Sequence, residues 1–390
     1  MTEPIVIVGG GLTAAHTASQ LRESGYDGDI VLFAAEQHLP YERPPLSKGY
    51  LLGKDERDKV FVHDATWYVE HDVDVRVGTE VDAIDPAGHT VTAGGATTSY
   101  SKVLLATGAS PRRLAAADDS GGPVAYLRVI EDTERLKGAF REGARIAILG
   151  AGWIGLETAS AARAAGAEVT VLESLDLPLL RVLGPEVAAV FADLHREHGV
   201  DLRLGAKVSG FERSGEGITL TVEGGDPVEA DLLLVGIGAG PNTALAEAAG
   251  LDVDNGVLVD EHLRTSAPDV LAAGDVANAW HPVLGRRVRV EHWDNAIQQG
   301  KAAARSLLGE DVSYDRLPYF FTDQYDLGME YVGHADPGDV DEVVIRGDTT
   351  GDRVFTAYWV KDGTVVAGMH ANDWDAIDGI REQVGQPLKD

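Results

Sequence analysis

Glycines 9 and 11, with Ala14 three residues on, have the spacing of a turn that holds a diphosphate. The pattern returns as Gly150-x-Gly152-x-x-Gly155, with Trp153 and Ile154 inside it. Glycine lets backbone amides come close to a pyrophosphate, and the positive end of the helix that follows favours its charge. A carboxylate after the next strand accepts hydrogen bonds from ribose hydroxyls. Glu36 stands there after the first turn and Glu173 after the second. At Glu173 the same charge repels the extra phosphate of NADPH, and no arginine follows before Arg181. The second turn is therefore expected to take NADH. Taken alone, the first turn also reads as a plain strand–helix connection.

Two dinucleotide sites in one chain imply one resident redox cofactor and one exchanging nicotinamide. Gly274-Asp275 follows a short apolar run. An aspartate there, past a strand and opening a helix, would hold a sugar-alcohol chain through its hydroxyls, and a ribityl chain belongs to a flavin. The plainer reading of Asp275 is a helix N-cap. The chain has no cysteine, which excludes disulfides, thiolate metal sites, iron–sulfur ligation by this chain and a catalytic thiol. His195 and His198 have i, i+3 spacing, but Glu197 and Gly199 beside them suggest an exposed helix end, and no third ligand is indicated. No metal site is expected.

These residues need a scaffold. A length of 390 residues suggests two or three domains. Ile5 to Val8 and Ile30 to Phe33 flank the first helical pattern, and Arg145 to Leu149 and Val169 to Leu172 flank the second. This is strand–helix–strand twice over. Val103 to Leu105 runs into Ala106-Thr107-Gly108, and Leu232 to Val235 runs into Gly236-Ile237-Gly238, which read as matched exits from the two units. Between them, Val73 to Val77, Val81 to Ile84 and His89 to Val91 look like strands. A helix is expected from Asn295 to Leu308. The aromatic-rich tail from Tyr314 predicts a hairpin, Val354 to Val360 and Thr364 to Met369, around Asp362-Gly363, and a helix near Asp373 to Val384.

The net charge is −30, from 63 acidic and 33 basic residues. Such a surface repels nucleic acid and anionic lipid, so neither is an expected partner. A local basic face remains open, from Arg286, Arg287 and Arg289 or from Arg112 with Arg113. The longest nearly uncharged stretch, Pro4 to Leu21, has Gly9-Gly10-Gly11 in its middle and reads as strand–turn–helix, not a membrane span. No basic leader precedes it. The expected location is the cytoplasm.

Tyr41-Glu42-Arg43-Pro44-Pro45-Leu46-Ser47-Lys48 resembles a segment shared by NADH-dependent ferredoxin reductases of oxygenase systems and by apoptosis-inducing-factor-like flavoproteins. Gly150 to Glu157, Ala106-Thr107-Gly108, Gly236-Ile237-Gly238, Ala273-Gly274-Asp275, Glu291-His292-Trp293 and Phe321 to Asp326 are similar to theirs, in the family's order. The resemblance runs from residue 5 to about 370. It implies a glutathione-reductase-like α/β architecture with two Rossmann-type dinucleotide-binding domains. The FAD-binding domain would be residues 1–110 and 240–318, the NADH-binding domain 111–239, and a small α+β C-terminal domain 319–390.

The resemblance also implies that Lys48 and Glu157 pair beside the isoalloxazine N5 and the nicotinamide, and that Arg43 faces the FAD phosphates. Trp293 would lie near the flavin or nicotinamide, or else pack in the core. Pro45, Ala106, Thr107, Gly108, Gly238, Gly274, Asp275, Glu291 and His292 carry over as cofactor contacts, with Lys48 and Trp293 counted among them. The implied activity passes a hydride from NADH to FAD, and single electrons to a [2Fe–2S] ferredoxin serving a P450 or a Rieske oxygenase. Two other activities stay open: a redox-sensing flavoprotein, and an oxidase or quinone reductase. The assembly would be a monomer or homodimer. Lacking cysteine, the chain departs from related disulfide reductases and oxidases that use a thiol near the flavin. Trp153 is bulky for its place and would shape the nicotinamide entry. An acidic ferredoxin would need a local basic face to dock.

Overall fold

The computed structural model describes residues 3–336 and 338–389. The chain forms two compact units. One comprises Met1–Arg43, Arg57–Ser110 and Ala239–Pro318. The other comprises Pro44–Glu56, Pro111–Gly238 and Tyr319–Asp390.

The first unit is built on a five-stranded parallel sheet in the order Val270–Ala272, Lys102–Leu105, Ile5–Val8, Ile30–Phe33, Val73–Arg76. The central strands are unbroken apolar runs because they are buried on both faces, and all four residues of Ile5–Val8 are buried. The Leu12–Glu23 helix packs on the Trp293–Leu307 helix. Their approach is close enough that Thr17 Oγ1 donates to the Gly300 carbonyl at 3.0 Å. The strands expected at Val81 and His89 are Val81–Asp85 and Thr90–Ala93, in a small antiparallel sheet.

The second unit repeats the design. Its parallel sheet runs Asp201–Arg203, Glu168–Leu172, Arg145–Leu149, Leu232–Val235, Val124–Ala125. The tail adds a five-stranded antiparallel sheet in the order Tyr319–Gln324, Leu327–Gly333, Thr364–Ala371, Phe355–Lys361, Glu342–Gly347. The expected hairpin turns at Asp362 (φ 49°) and Gly363 (φ 70°), the pair of positive φ values that a two-residue turn needs. The last helix is shorter than expected, Ile377–Gln383.

Two expectations are corrected. Asp275 opens no α-helix. It lies in a single 3-10 turn, Gly274–Val276, and the chain then enters the Ala277–His281 strand, which pairs with Val257–Val259. His195 is not at an exposed helix end. The Leu180–Glu197 helix breaks at Gly184 (φ 75°) before Pro185, and the second piece buries His195 completely.

Candidate active site

In the first unit the glycine turn leaves the Ile5–Val8 strand at Gly9, whose amide donates to the Phe33 carbonyl at 2.8 Å. Gly9 has φ +125°, and a Cβ there would lie 2.1 Å from the Ala106 carbonyl oxygen. Only glycine fits. Ala106 and Thr107, from the segment read as an exit of the unit, thus lie against the turn. Gly11 is the N-cap of the Leu12–Glu23 helix, with no side-chain cap, and a Cβ on it would meet nothing within 4 Å. No side chain therefore caps the start of that helix, as a diphosphate cradle requires. Ala14, fully buried, lies in the first turn of that helix. Gly274 abuts it, since a Cβ at Gly274 would sit 2.3 Å from Thr13 Oγ1.

Glu36 is half-buried and held by side chains. Tyr41 donates its hydroxyl to Oε2 at 2.5 Å, and Arg43 donates to Oε1 at 2.7 Å. Burial pulls the Arg43 pKa down, but Tyr41, Glu36 and the Asp275 carboxylate raise it on balance. Arg43 thus binds Glu36 directly and feels the charge of Asp275. His292 is the N-cap residue of the Trp293–Leu307 helix, and burial raises the Glu42 carboxyl, with the Trp293 side chain acting against that rise. Glu291 pairs with Arg289. Arg287 donates to the Val259 and Asn278 carbonyls. Arg287 and Arg289 are therefore bonded within the chain, while Arg286 and Arg287 stay exposed. In the second unit, Arg113 pairs with Asp118.

The second turn matches the first bond for bond. The Gly150 amide donates to Leu172 at 2.8 Å, and the Gly236 amide donates to Leu149 at 2.8 Å. Gly150 has φ +102°, with its would-be Cβ 2.4 Å from the Gly236 carbonyl. Gly152 is the uncapped N-cap of the Trp153–Ala164 helix and also faces open space. At Gly155 a Cβ would meet the Gly150 carbonyl at 2.0 Å. Glu173 accepts from the backbone amides of Ala151 at 2.8 Å and Leu175 at 2.9 Å. Ile154 is 42% exposed and Ile237, beside Gly238, is 39% exposed. Trp153 packs against Phe191 and Phe320.

Lys48 and Glu157 meet, as the resemblance implied. Pro44 and Pro45 set up a short 3-10 turn, Pro44–Ser47, and the Pro45 carbonyl accepts from the Lys48 amide at 3.1 Å. The turn delivers Lys48 Nζ to Glu157 Oε1 at 2.7 Å. Glu157, on the Trp153–Ala164 helix, is 4% exposed. Ser47 donates to its Oε2 at 2.5 Å and Thr322 to its Oε1 at 2.7 Å. A buried carboxylate survives only with such partners. Asp323, on the opposite face of its strand from Thr322, has its carboxyl raised. Partial burial is the main cause; Lys48 opposes it, and Glu157 and Glu330 add to it.

Trp293 belongs to the first unit, and Lys48 and Glu157 to the second. Ser47, Thr322, Gln324 and His195 were not picked out by sequence reasoning as site residues. The available signal was the Tyr319–Gln324 strand, where Thr322 and Gln324 fall on the same inward face as Phe320. Polar residues on a buried strand face ask for a partner. Among the described residues no cluster of metal ligands occurs, and no helix is long and apolar enough to cross a membrane.

Residues 3–300 match the family described as pyridine nucleotide-disulphide oxidoreductase, and residues 319–386 match the reductase C-terminal family. The chain is 41% identical to the ferredoxin–NAD(+) reductase component of the anthranilate 1,2-dioxygenase system of Burkholderia cepacia, over 95% of this chain and 91% of that one. It is 36% identical to putidaredoxin reductase of Pseudomonas putida, over 93% and 87%. Its structure matches that of the covalent putidaredoxin reductase–putidaredoxin complex with a TM-score of 0.94 and 34% identity, covering 98% and 94% of the two chains. A ferredoxin reductase from Rhodopseudomonas palustris gives 0.94 and 32%, covering 100% and 96%.

Proposed function

The chain belongs to the pyridine nucleotide-disulphide oxidoreductase family, and from that premise we propose that it is an FAD-dependent NADH:ferredoxin reductase. The observation that carries this reading is the doubled turn, two side-chain-free cradles at two uncapped helix ends, in a chain with no cysteine. FAD when bound would accept a hydride from NADH and release the two electrons singly to a [2Fe–2S] protein.

The residues divide that work. Gly9, Gly11, Ala14 and Ala106 to Gly108 would cradle the FAD diphosphate, and Glu36 its ribose. Arg43, Gly274, Asp275, Glu291, His292 and Trp293 would line the same cofactor's site. Gly150, Gly152, Ile154, Gly155 and Gly238 would hold NADH, with Glu173 excluding the 2′-phosphate. Lys48, fixed by Pro45 and by Glu157, would offer a positive charge to the reacting rings. Glu157 keeps that ammonium in one place, which a solvated lysine would not be. The proposed domains are residues 1–110 with 240–318, 111–239 and 319–390, although the compact units join Pro44–Glu56 and Tyr319–Asp390 to Pro111–Gly238. The acceptor is a ferredoxin that serves an oxygenase, on the names its relatives carry. The location is the cytoplasm, where NADH is regenerated.

Anaerobic titration with NADH tests the reading. The yellow absorbance of the purified protein is expected to bleach at one equivalent. Turnover is then compared with a [2Fe–2S] ferredoxin, oxygen and a quinone. Ferredoxin as the fastest acceptor supports the reading. Oxygen or quinone as the fastest makes the protein an oxidase or quinone reductase. Slow turnover with all three makes it a redox sensor.

A further inference from the structure

Glu157 is held from one side by a run of buried polar groups that ends at a histidine. We propose that His195, acting through Gln324 and Thr322, is a positioning residue for the Glu157 carboxylate; this rests on the reading of the Lys48–Glu157 pair given above.

The direction of every bond in the run follows from donor and acceptor counting. A carboxylate only accepts. Thr322 has one proton, and it goes to Glu157 Oε1 at 2.7 Å. Toward Gln324, 3.1 Å away, Thr322 Oγ1 must therefore accept, so the amide turns its nitrogen to Thr322. The Gln324 carbonyl oxygen is left facing His195 Nε2 at 2.8 Å, and Nε2 must carry a proton. Nδ1 is then bare and accepts the Tyr325 hydroxyl at 3.3 Å. Thr322 and Gln324 are each 1% exposed and His195 is 0% exposed, so water cannot repair a wrong orientation.

The histidine thus sets the amide. With Nε2 bare, two acceptors would face each other at 2.8 Å. Relief would come from turning the amide, which presents its oxygen to Thr322 and draws that hydroxyl's proton away from Glu157. The carboxylate would keep Ser47 and Lys48 but lose its third donor. Other groups around the ring leave it neutral. His198, the C-cap residue of the same helix, stacks on Tyr325 and pairs with Asp326, and Arg163 acts on Tyr325 from the neighbouring helix. Burial, aided by His198 and opposed by the Gln324 bond, brings the His195 pKa down to about 4.

The test uses the purified flavoprotein. Stopped-flow reduction by NADH separates the limiting rate from coenzyme affinity. Thr322→Val is expected to lower the limiting rate about tenfold with NADH affinity within about twofold, and Thr322→Ser to restore it. His195→Phe should reproduce most of that loss. Because it acts through Thr322, the double variant should be no slower than Thr322→Val alone. Additive losses, or an unchanged rate in Thr322→Val with full flavin content, overturn the proposal. Nitrogen-15 NMR of histidine-labelled wild type gives a readout that needs no variant to fold, with the His195 signals assigned by their absence from His195→Phe or, should that variant not fold, His195→Gln. An Nε2–H tautomer is expected, and an Nδ1–H tautomer overturns the proposal. Glu157→Gln is the control. If it leaves the rate unchanged, the reading of the pair fails instead, whatever the tautomer proves to be.

Discussion

The two glycine turns share their bonds and differ in their surroundings. Gly9 and Gly150 make the same amide contact, wear the same kind of positive φ and approach the same kind of carbonyl. After each comes an uncapped helix. The residues that follow part company. Leu12 and Thr13 are 6% exposed, whereas Ile154, in the place of Thr13, is 42% exposed. A second helix covers the first turn so closely that Gly300 admits no side chain, its would-be Cβ lying 2.6 Å from the Thr13 carbonyl. Glu36 is gripped by Tyr41 and Arg43, while Glu173 leans on backbone amides. One backbone device thus sits in a closed setting and in an open one. A closed cradle suits a cofactor that stays, and an open one suits a coenzyme that must leave each cycle.

The largest test of this contrast is a methyl group at each turn. Gly9→Ala is expected to yield protein with less than about a tenth of the normal flavin, because both the clash and the positive φ oppose it. Gly150→Ala should keep its flavin and lose about a hundredfold in kcat/KM for NADH. The flavin-to-protein absorbance ratio and steady-state kinetics read the two outcomes. Loss of flavin from Gly150→Ala would break the contrast.

Acid stability comes next. His195 in the second unit and His16 in the first are both brought down to about 4, mainly by burial. Between that value and the ordinary 6.5 the unfolded chain binds protons that the folded chain refuses, so stability is full above about pH 6.5 and falls on acidification toward 4. His195 should contribute on the order of 3 kcal/mol to this loss. His16 should contribute less, since it is more exposed to solvent. Denaturant midpoints of His195→Gln and His16→Gln across that window would show a flatter pH dependence, more so for the first. Equal slopes in wild type and His195→Gln would refute the burial argument.

Glu173→Ala should raise the NADPH-to-NADH preference by about tenfold, without touching flavin content. An unchanged preference would place the selectivity elsewhere. The smallest effect expected is that of Ile154→Ser. Being exposed, it should cost under about 0.5 kcal/mol of stability and shift the KM for NADH by no more than about threefold. A large loss of stability there would mean that the second turn is as closed as the first.

Much of this was legible in the residues because its causes are local. Apolar runs before glycine turns marked the parallel strands, and Asp362-Gly363 marked a hairpin whose two positive φ values follow from that pair. Lys48 and Glu157 were legible only through resemblance, since they lie 109 positions apart and no local rule joins them. The misreadings have tertiary causes. Asp275, past a short apolar run, was expected to open a helix, but pairing with Val257–Val259 makes the residues after it a strand. Glu197 and Gly199 suggested exposure for His195, and packing against Gln324 and Tyr325 overrode them. Thr322 and Gln324 were quoted within a motif, yet their task depends on Glu157 and His195, which come from distant segments.

The break at Gly184–Pro185 has a consequence for how this part of the chain tolerates changes of length. An uninterrupted helix transmits every inserted or deleted residue as a rotation of about 100° to all that follows. Here a proline restarts the spiral afresh, so additions in the connection before it, from Ser174 to Pro178, can be taken up without turning His195. A single residue added between Glu186 and Leu194 has no such buffer and would swing the imidazole off its heading.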